Sequence, residues 1–243
     1  SKRMTNKSTR QITGSKDLRL PDELREPLKK HLNYLRERYL ENNWGGRVGF
    51  GENPALVVVD LALFWTQPQH QMGSNVDSVV EATAWLLEAA RKAEIPIFFT
   101  SLDYDSAAPP SPRDKKCQMD LKPEDEPLLQ LDPRLKHRSS ERIILKKYAS
   151  AFKDTDFHAI LSELQVDTLI VTGVSTSHCI YATCRDATDD YRIIIPAEAV
   201  GERCEIMHEV NLLDIDIDLG DVMPVEEVIE YLKGKSHAKL SSD

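Results

Sequence analysis

The chain has 243 residues, enough for one large domain with a sizeable core, and a formal charge of −9, which argues against wholesale nucleic-acid binding. Hydrophobic residues make up 41% and charged residues 29%, the balance of a globular enzyme; no apolar run reaches membrane-span length and no secretory signal pattern is seen, so no membrane partner is expected. Four cysteines (Cys117, Cys179, Cys184 and Cys204) lack CxxC spacing, which suggests neither a zinc cluster nor a disulfide framework and fits a reducing, cytoplasmic setting.

Residues 1–26 read as a polar, mobile arm; over residues 1–20, Lys2, Arg3, Lys7, Arg10, Lys16 and Arg19 are set against Asp17 alone. Residues 27–51 hold a helix and a connector. Pro27 suits a first helical position, Leu28, Leu32, Leu35 and Tyr39 share a face, and Gly45-Gly46 and Gly49-Phe50-Gly51 follow. The main domain is expected over 52–236, with 237–243 as a tail. It opens on Ala55–Val59, a continuous apolar strand ending at Asp60; apolarity without alternation implies cover on both faces, as in a parallel sheet. Val76, Val79, Val80, Ala84 and Leu87 form a helical stripe, and Ile95–Thr100 is a second strand. Residues 102–140 are charged and proline-containing, a surface excursion of the kind that often covers active sites. Ile143–Leu145 is a third strand, Asp156–Leu164 a helix, Thr168–Val171 a fourth strand and Arg192–Ile195 a fifth. A helix around His208–Leu213, a short strand near Asp221-Val222 and a helix over Val225–Leu232 close the chain. This alternation predicts a three-layer α/β/α sandwich on a mostly parallel, roughly six-stranded sheet. Sites in such sheets lie beyond the carboxyl ends of the strands, near a topological switch point.

Three residues at strand ends stand out. Gly173 ends the fourth strand, and Ser175 or Thr176 reads as the cap of a helix running through Ala182 and Ala187. Cys179 then falls in the first turn, where free N–H groups and the helix dipole favour a thiolate. Taken alone, it also reads as a buried structural cysteine. Asp60 is either a turn former or a general base that takes a thiol proton and returns it to a leaving amine. Lys146 is either a solvated loop cation or a buried ammonium beside the other two; Ala149, Ser150 and Ala151 permit close packing there, and Lys147 is the adjacent alternative. A thiolate next to a lone carboxylate repels it, and an ammonium relieves that repulsion.

Three ordered blocks carry a resemblance. They are Pro54-Ala-Leu-Val-Val-Val-Asp60 with Trp65-Thr-Gln-Pro68, Lys146-Lys-Tyr-Ala-Ser-Ala-Phe152 with Thr155, and Thr172-Gly-Val-Ser-Thr-Ser-His-Cys179 continuing to Pro196-Ala-Glu-Ala-Val-Gly-Glu-Arg203. With His208, Asn211, Asp214 and Asp221-Val222 in the tail, the sequence resembles the isochorismatase-like cysteine hydrolases, nearest the N-carbamoylsarcosine amidohydrolase branch, over about residues 45–233. The resemblance implies a Cys179/Asp60/Lys146 triad with nucleophile, general base and ionic partner in that order. It implies a cis peptide at Val174–Ser175 and an oxyanion hole of backbone N–H groups from Ser175 and Cys179. It implies attack on a small N-carbamoyl or amide compound with release of ammonia, no cofactor, and a homo-oligomer, dimer or tetramer. Arg203 aligns, after a one-residue deletion near Asp190-Tyr191, with an arginine that binds a substrate carboxylate; otherwise it is a surface arginine. Trp65 reads as a pocket wall or a core residue.

The sequence departs from the branch at His178-Cys179-Ile180-Tyr181, where Gly-Cys-Val-Arg is usual. His178 either faces solvent or narrows the pocket, and the missing arginine at 181 weakens the case for a strongly acidic substrate. Asp103-Tyr104-Asp105-Ser106 lacks the histidines of the nicotinamidase metal site, so neither a structural zinc nor nicotinamide as substrate is expected. Maleamate or ureido-acid hydrolysis is the nearest alternative. Isochorismate-type vinyl-ether hydrolysis and a non-catalytic role are more remote, because the first needs no cysteine and the second no triad.

Overall fold

The computed structural model describes residues 17–105, 107–119 and 121–242. The seven strands form one sheet: β1 (Pro54–Val59), β2 (Ile97–Leu102), β3 (Arg142–Lys146), β4 (Thr168–Val174), β5 (Arg192–Pro196), β6 (Val200–Gly201) and β7 (Asp221–Met223). The order is β3-β2-β1-β4-β5-β7, every pairing is parallel, and β6 pairs with β4 off that path. The roughly six strands expected become seven because Val200–Gly201, too short to read from periodicity, adds to the end of β4.

The apolar runs place the layers. Along β1, Leu56 and Val58 face a cluster with Val80, Leu86 and Leu87 of α3 (Asp77–Lys92) and Val228 and Leu232 of α7 (Val225–Ser242). Ala55, Val57 and Val59 face the other way. They meet Phe157 and Leu161 of α4 (Phe157–Glu163), Cys184 and Ala187 of α5 (Tyr181–Ala187), and Ile215 of α6 (Glu205–Asp218). A strand covered on both sides has no polar face, hence its unbroken run of Val and Leu. One further turn of helix, α2 (Leu63–Thr66), follows β1.

The N-terminal helix, α1, spans Asp22–Glu41, so it begins five residues ahead of Pro27, which lies inside it. The missing N–H of Pro27 leaves the carbonyl of Glu23 without a helical partner, and solvent reaches Glu23. Leu32 of α1 packs on Leu213 and Ile217 of α6. Ahead of it, the end of the expected mobile arm is docked: Leu18 bridges Cys204, and the Leu20 N–H donates to Glu205 at 2.8 Å. The rest of the arm, residues 1–16, lies outside the described residues. The expected C-terminal tail is helical through Ser242.

The 102–140 excursion is built of short 3-10 turns, and its last part is anchored beside β1. Asp132 accepts from Thr66 Oγ1 at 2.8 Å while its N–H donates to the Leu61 carbonyl at 2.8 Å, and Leu135 is buried.

Candidate active site

The chain runs outward from β1 through β2 to β3, then returns to the other side of β1 with β4. The carboxyl ends of β1 and β4 therefore flank the switch point, where flanking crossovers diverge and leave a crevice. Asp60 sits just beyond β1 in a left-handed conformation (φ 54°), one of the few that Asp tolerates. Cys179 follows β4. Gly173, at φ 114°, lets β4 approach β1 so closely that a β-carbon there would collide with the Val59 carbonyl. The Val174–Ser175 peptide is cis. Cys179 then lies in a π-helical turn, Thr176–Ile180, that leads into α5, with no side chain capping it. The expected Ser or Thr cap is thus absent: the Ser175 carbonyl instead accepts from the N–H groups of His178 and Ile180 at 3.0 and 3.2 Å.

Lys146 ends β3 and reaches across the end of β2. Its Nζ is 2.9 Å from Asp60 Oδ2 and 3.4 Å from Cys179 Sγ, and it donates to the Tyr148 and Ala149 carbonyls at 3.1 Å each. Asp60 and Lys146 are only 5% and 4% exposed, and Cys179 is half-buried beside them. The sequence left Lys146 and Lys147 open; Lys147 points elsewhere, 3.9 Å from Asp103 with half its side chain in solvent. Asp60, Lys146 and Cys179 therefore share one cluster. They line neither of the two surface grooves, one around Trp85 and Arg138 and the other around Tyr104 and Gln130.

The surroundings of the sulfur work against the expected thiolate. Burial first, and the Asp60 charge second, push the Cys179 thiol up to about 12, against the smaller pull of Lys146. Burial and the Asp60 charge thus favour the neutral thiol, whose sulfur accepts from Lys146 Nζ at 3.4 Å. A cysteine at a helix start gains little from the dipole when a carboxylate faces it more closely. Burial works against the Lys146 ammonium, but its partners, Asp60 first, outweigh it and its pKa is raised.

Other contacts fix the nucleophile turn. Thr176 Oγ1 lies 2.7 Å from His208 Nδ1, and Glu202 accepts the Ser177 N–H at 2.7 Å. Burial holds His208 towards its neutral form. Thr100, within β2, accepts the Asp60 N–H at 3.1 Å and donates to Asp60 Oδ1 at 2.7 Å. Sequence reasoning missed Thr100; its one signal is a polar residue closing the apolar run Ile97-Phe98-Phe99.

The structure does not bring the other singled-out residues into contact with the trio. Half-buried Arg203 lies two residues past Gly201, which pairs with Val174, and its Nη2 donates to the Met72 carbonyl at 2.6 Å. Trp65 packs edge-on against Phe64 and onto the α3 side of the core, and its carbonyl accepts from Ser74 at 3.1 Å. His178 is exposed. Among the described residues no group of three His, Cys, Asp or Glu side chains is placed to hold a metal ion, and no helix is long and apolar enough to cross a membrane.

Fold and site together define a doubly wound α/β protein of the isochorismatase-like kind. The isochorismatase domain matches residues 54–227, and the chain belongs to that family. It is 34% identical to N-carbamoylsarcosine amidase of an Arthrobacter species over 80% of this chain and 76% of that protein. It is likewise 34% identical to maleamate amidohydrolase of Pseudomonas putida, over 78% and 92%. A solved cysteine hydrolase from Pseudomonas syringae pv. phaseolicola superposes with a TM-score of 0.71 at 22% identity, covering 78% of this chain and 98% of that one.

Proposed function

We propose that this protein is a cysteine amidohydrolase that cleaves the C–N bond of a small N-carbamoyl or other acyclic amide. The observation that carries the reading is the single ammonium held 2.9 Å from a buried carboxylate and 3.4 Å from a thiol at the sheet's switch point. Two relatives at 34% identity, named as an amidase and an amidohydrolase, support the bond type.

A neutral thiol of raised pKa attacks only if its proton leaves as the new bond forms. Asp60 takes that proton while Sγ bonds the carbonyl carbon, and Lys146 keeps the carboxylate ionised until then. The carbonyl oxygen becomes an oxyanion, received by the N–H groups of Ser175 and Cys179. Collapse breaks the C–N bond, and Asp60 returns the proton to the departing nitrogen, which leaves as ammonia. Water then adds to the thioester carbon and gives a proton to Asp60. The C–S bond breaks, the acid leaves, and the proton returns to Sγ. From a carbamoyl substrate the product carbamic acid loses carbon dioxide. Lys146 bonds to two backbone carbonyls as well as Asp60, so it stays a fixed cation throughout.

Arg203, on the stretch that follows β6, is proposed to bind a substrate carboxylate, its Met72 contact steering the guanidinium. An ammonia-release screen of N-carbamoyl amino acids, ureido acids and maleamate tests the reading. Turnover by the wild type that Cys179→Ala abolishes supports it; turnover of none of these compounds, or turnover that survives the substitution, counts against it.

A further inference from the structure

We propose that Thr100 is a positioning residue for Asp60, and that the site uses its hydroxyl rather than its bulk. The inference rests on the amidohydrolase reading, but part of its test does not. β2 is the strand between β1, which presents Asp60, and β3, which presents Lys146. Lys146 has to span it, and Thr100 lies on it. The residue is completely buried. A buried hydroxyl has one proton to give, and this one goes to Asp60 Oδ1 at 2.7 Å, while its lone pair takes the Asp60 N–H at 3.1 Å. With Oδ2 held 2.9 Å from Lys146, both carboxylate oxygens are spoken for, from two neighbouring strands.

That arrangement decides how the carboxylate meets the sulfur. The titratable groups facing Asp60 are Lys146 from β3 and Cys179 from the turn after β4. Thr100 on β2 is the neutral third partner. Left with Lys146 alone, the carboxylate turns freely about its last bond, and the oxygen that must meet the thiol proton is not fixed in place. Thr100 removes that freedom.

The test compares Thr100→Val, which keeps the shape and loses the hydroxyl, with Thr100→Ser, which keeps the hydroxyl and loses a methyl group. Circular dichroism confirms the fold of each. On any amide the wild type hydrolyses, Thr100→Val is expected to lower kcat by about 10–100-fold with KM within about twofold. Thr100→Ser stays near the wild type in rate. Alkylation of Cys179 by iodoacetamide needs no substrate. At pH about 9 it slows in Thr100→Val, where the less-satisfied carboxylate holds the thiol proton more strongly, and is unchanged in Thr100→Ser. Unchanged rate and alkylation in Thr100→Val overturn the proposal. So does an equal fall in both variants, which makes the effect one of packing. If no amide is hydrolysed even by the wild type, the amidohydrolase reading fails while the alkylation arm still decides the role of Thr100.

Discussion

At the scale of the residue, side chains from the ends of two strands and from the turn after a third converge, and their charges set one another. Asp60→Asn and Lys146→Ala are each expected to cost about 10³-fold or more in kcat/KM, measured by ammonia release. Lys147→Ala is expected to stay within about twofold, because that side chain is half in solvent and faces Asp103. Thiol reactivity separates the partners by sign. Asp60 raises the Cys179 pKa and Lys146 lowers it. Asp60→Asn is therefore expected to speed alkylation of Cys179 by iodoacetamide at pH about 8 while removing turnover, and Lys146→Ala to slow both. Faster alkylation in Lys146→Ala contradicts the arrangement. Asp60 and Lys146 were legible as residues closing apolar strands, with Lys147 left open beside the second, and Cys179 as the cysteine in the turn after a third. Its protonation was not: spacing places Cys179 at a helix start, but cannot say that a carboxylate from another strand faces it, or how deeply the pair is buried. Thr100 was hidden for the same reason, since its partner is forty residues away in a strand with which it shares no motif.

At the scale of the element, the close approach of β4 to β1 makes the site possible. Gly173 is where that approach happens, at a φ open to glycine and against the Val59 carbonyl. Gly173→Ala adds both backbone strain and a clash, and is expected to destabilise the fold by about 2–6 kcal/mol in urea or thermal unfolding. A loss under 1 kcal/mol means that the strands part without consequence. Strands and helices with strong periodicity, β1 and α3 among them, were legible because burial on a fixed face writes itself into composition. Elements fixed by long-range contacts were not. The docking of Leu18–Leu20 depends on Arg25 and Glu205, far apart in sequence, and no local pattern announces it. The same contacts carry α1 back to Asp22.

At the scale of the whole molecule, buried thiols shape the pH dependence of stability. Burial pushes both Cys179 and Cys184 up from 9.0 to about 12. Above pH 9.0 the unfolded chain loses these protons and the folded one keeps them, so the unfolded state binds fewer. Stability from this source is full below pH 9.0 and is lost as pH rises towards 12. The melting temperature is expected to fall over that window, and less steeply in Cys184→Ala after allowance for its cavity. The fold class itself was legible from the alternation of strands and helices, and the switch point followed from it; the strand order came only from the structure. The most direct check on the account is the rate of ammonia release by folded Cys179→Ala on a compound the wild type hydrolyses. The account predicts a fall of about 10⁴-fold or more, to background; a rate within about tenfold of the wild type contradicts it.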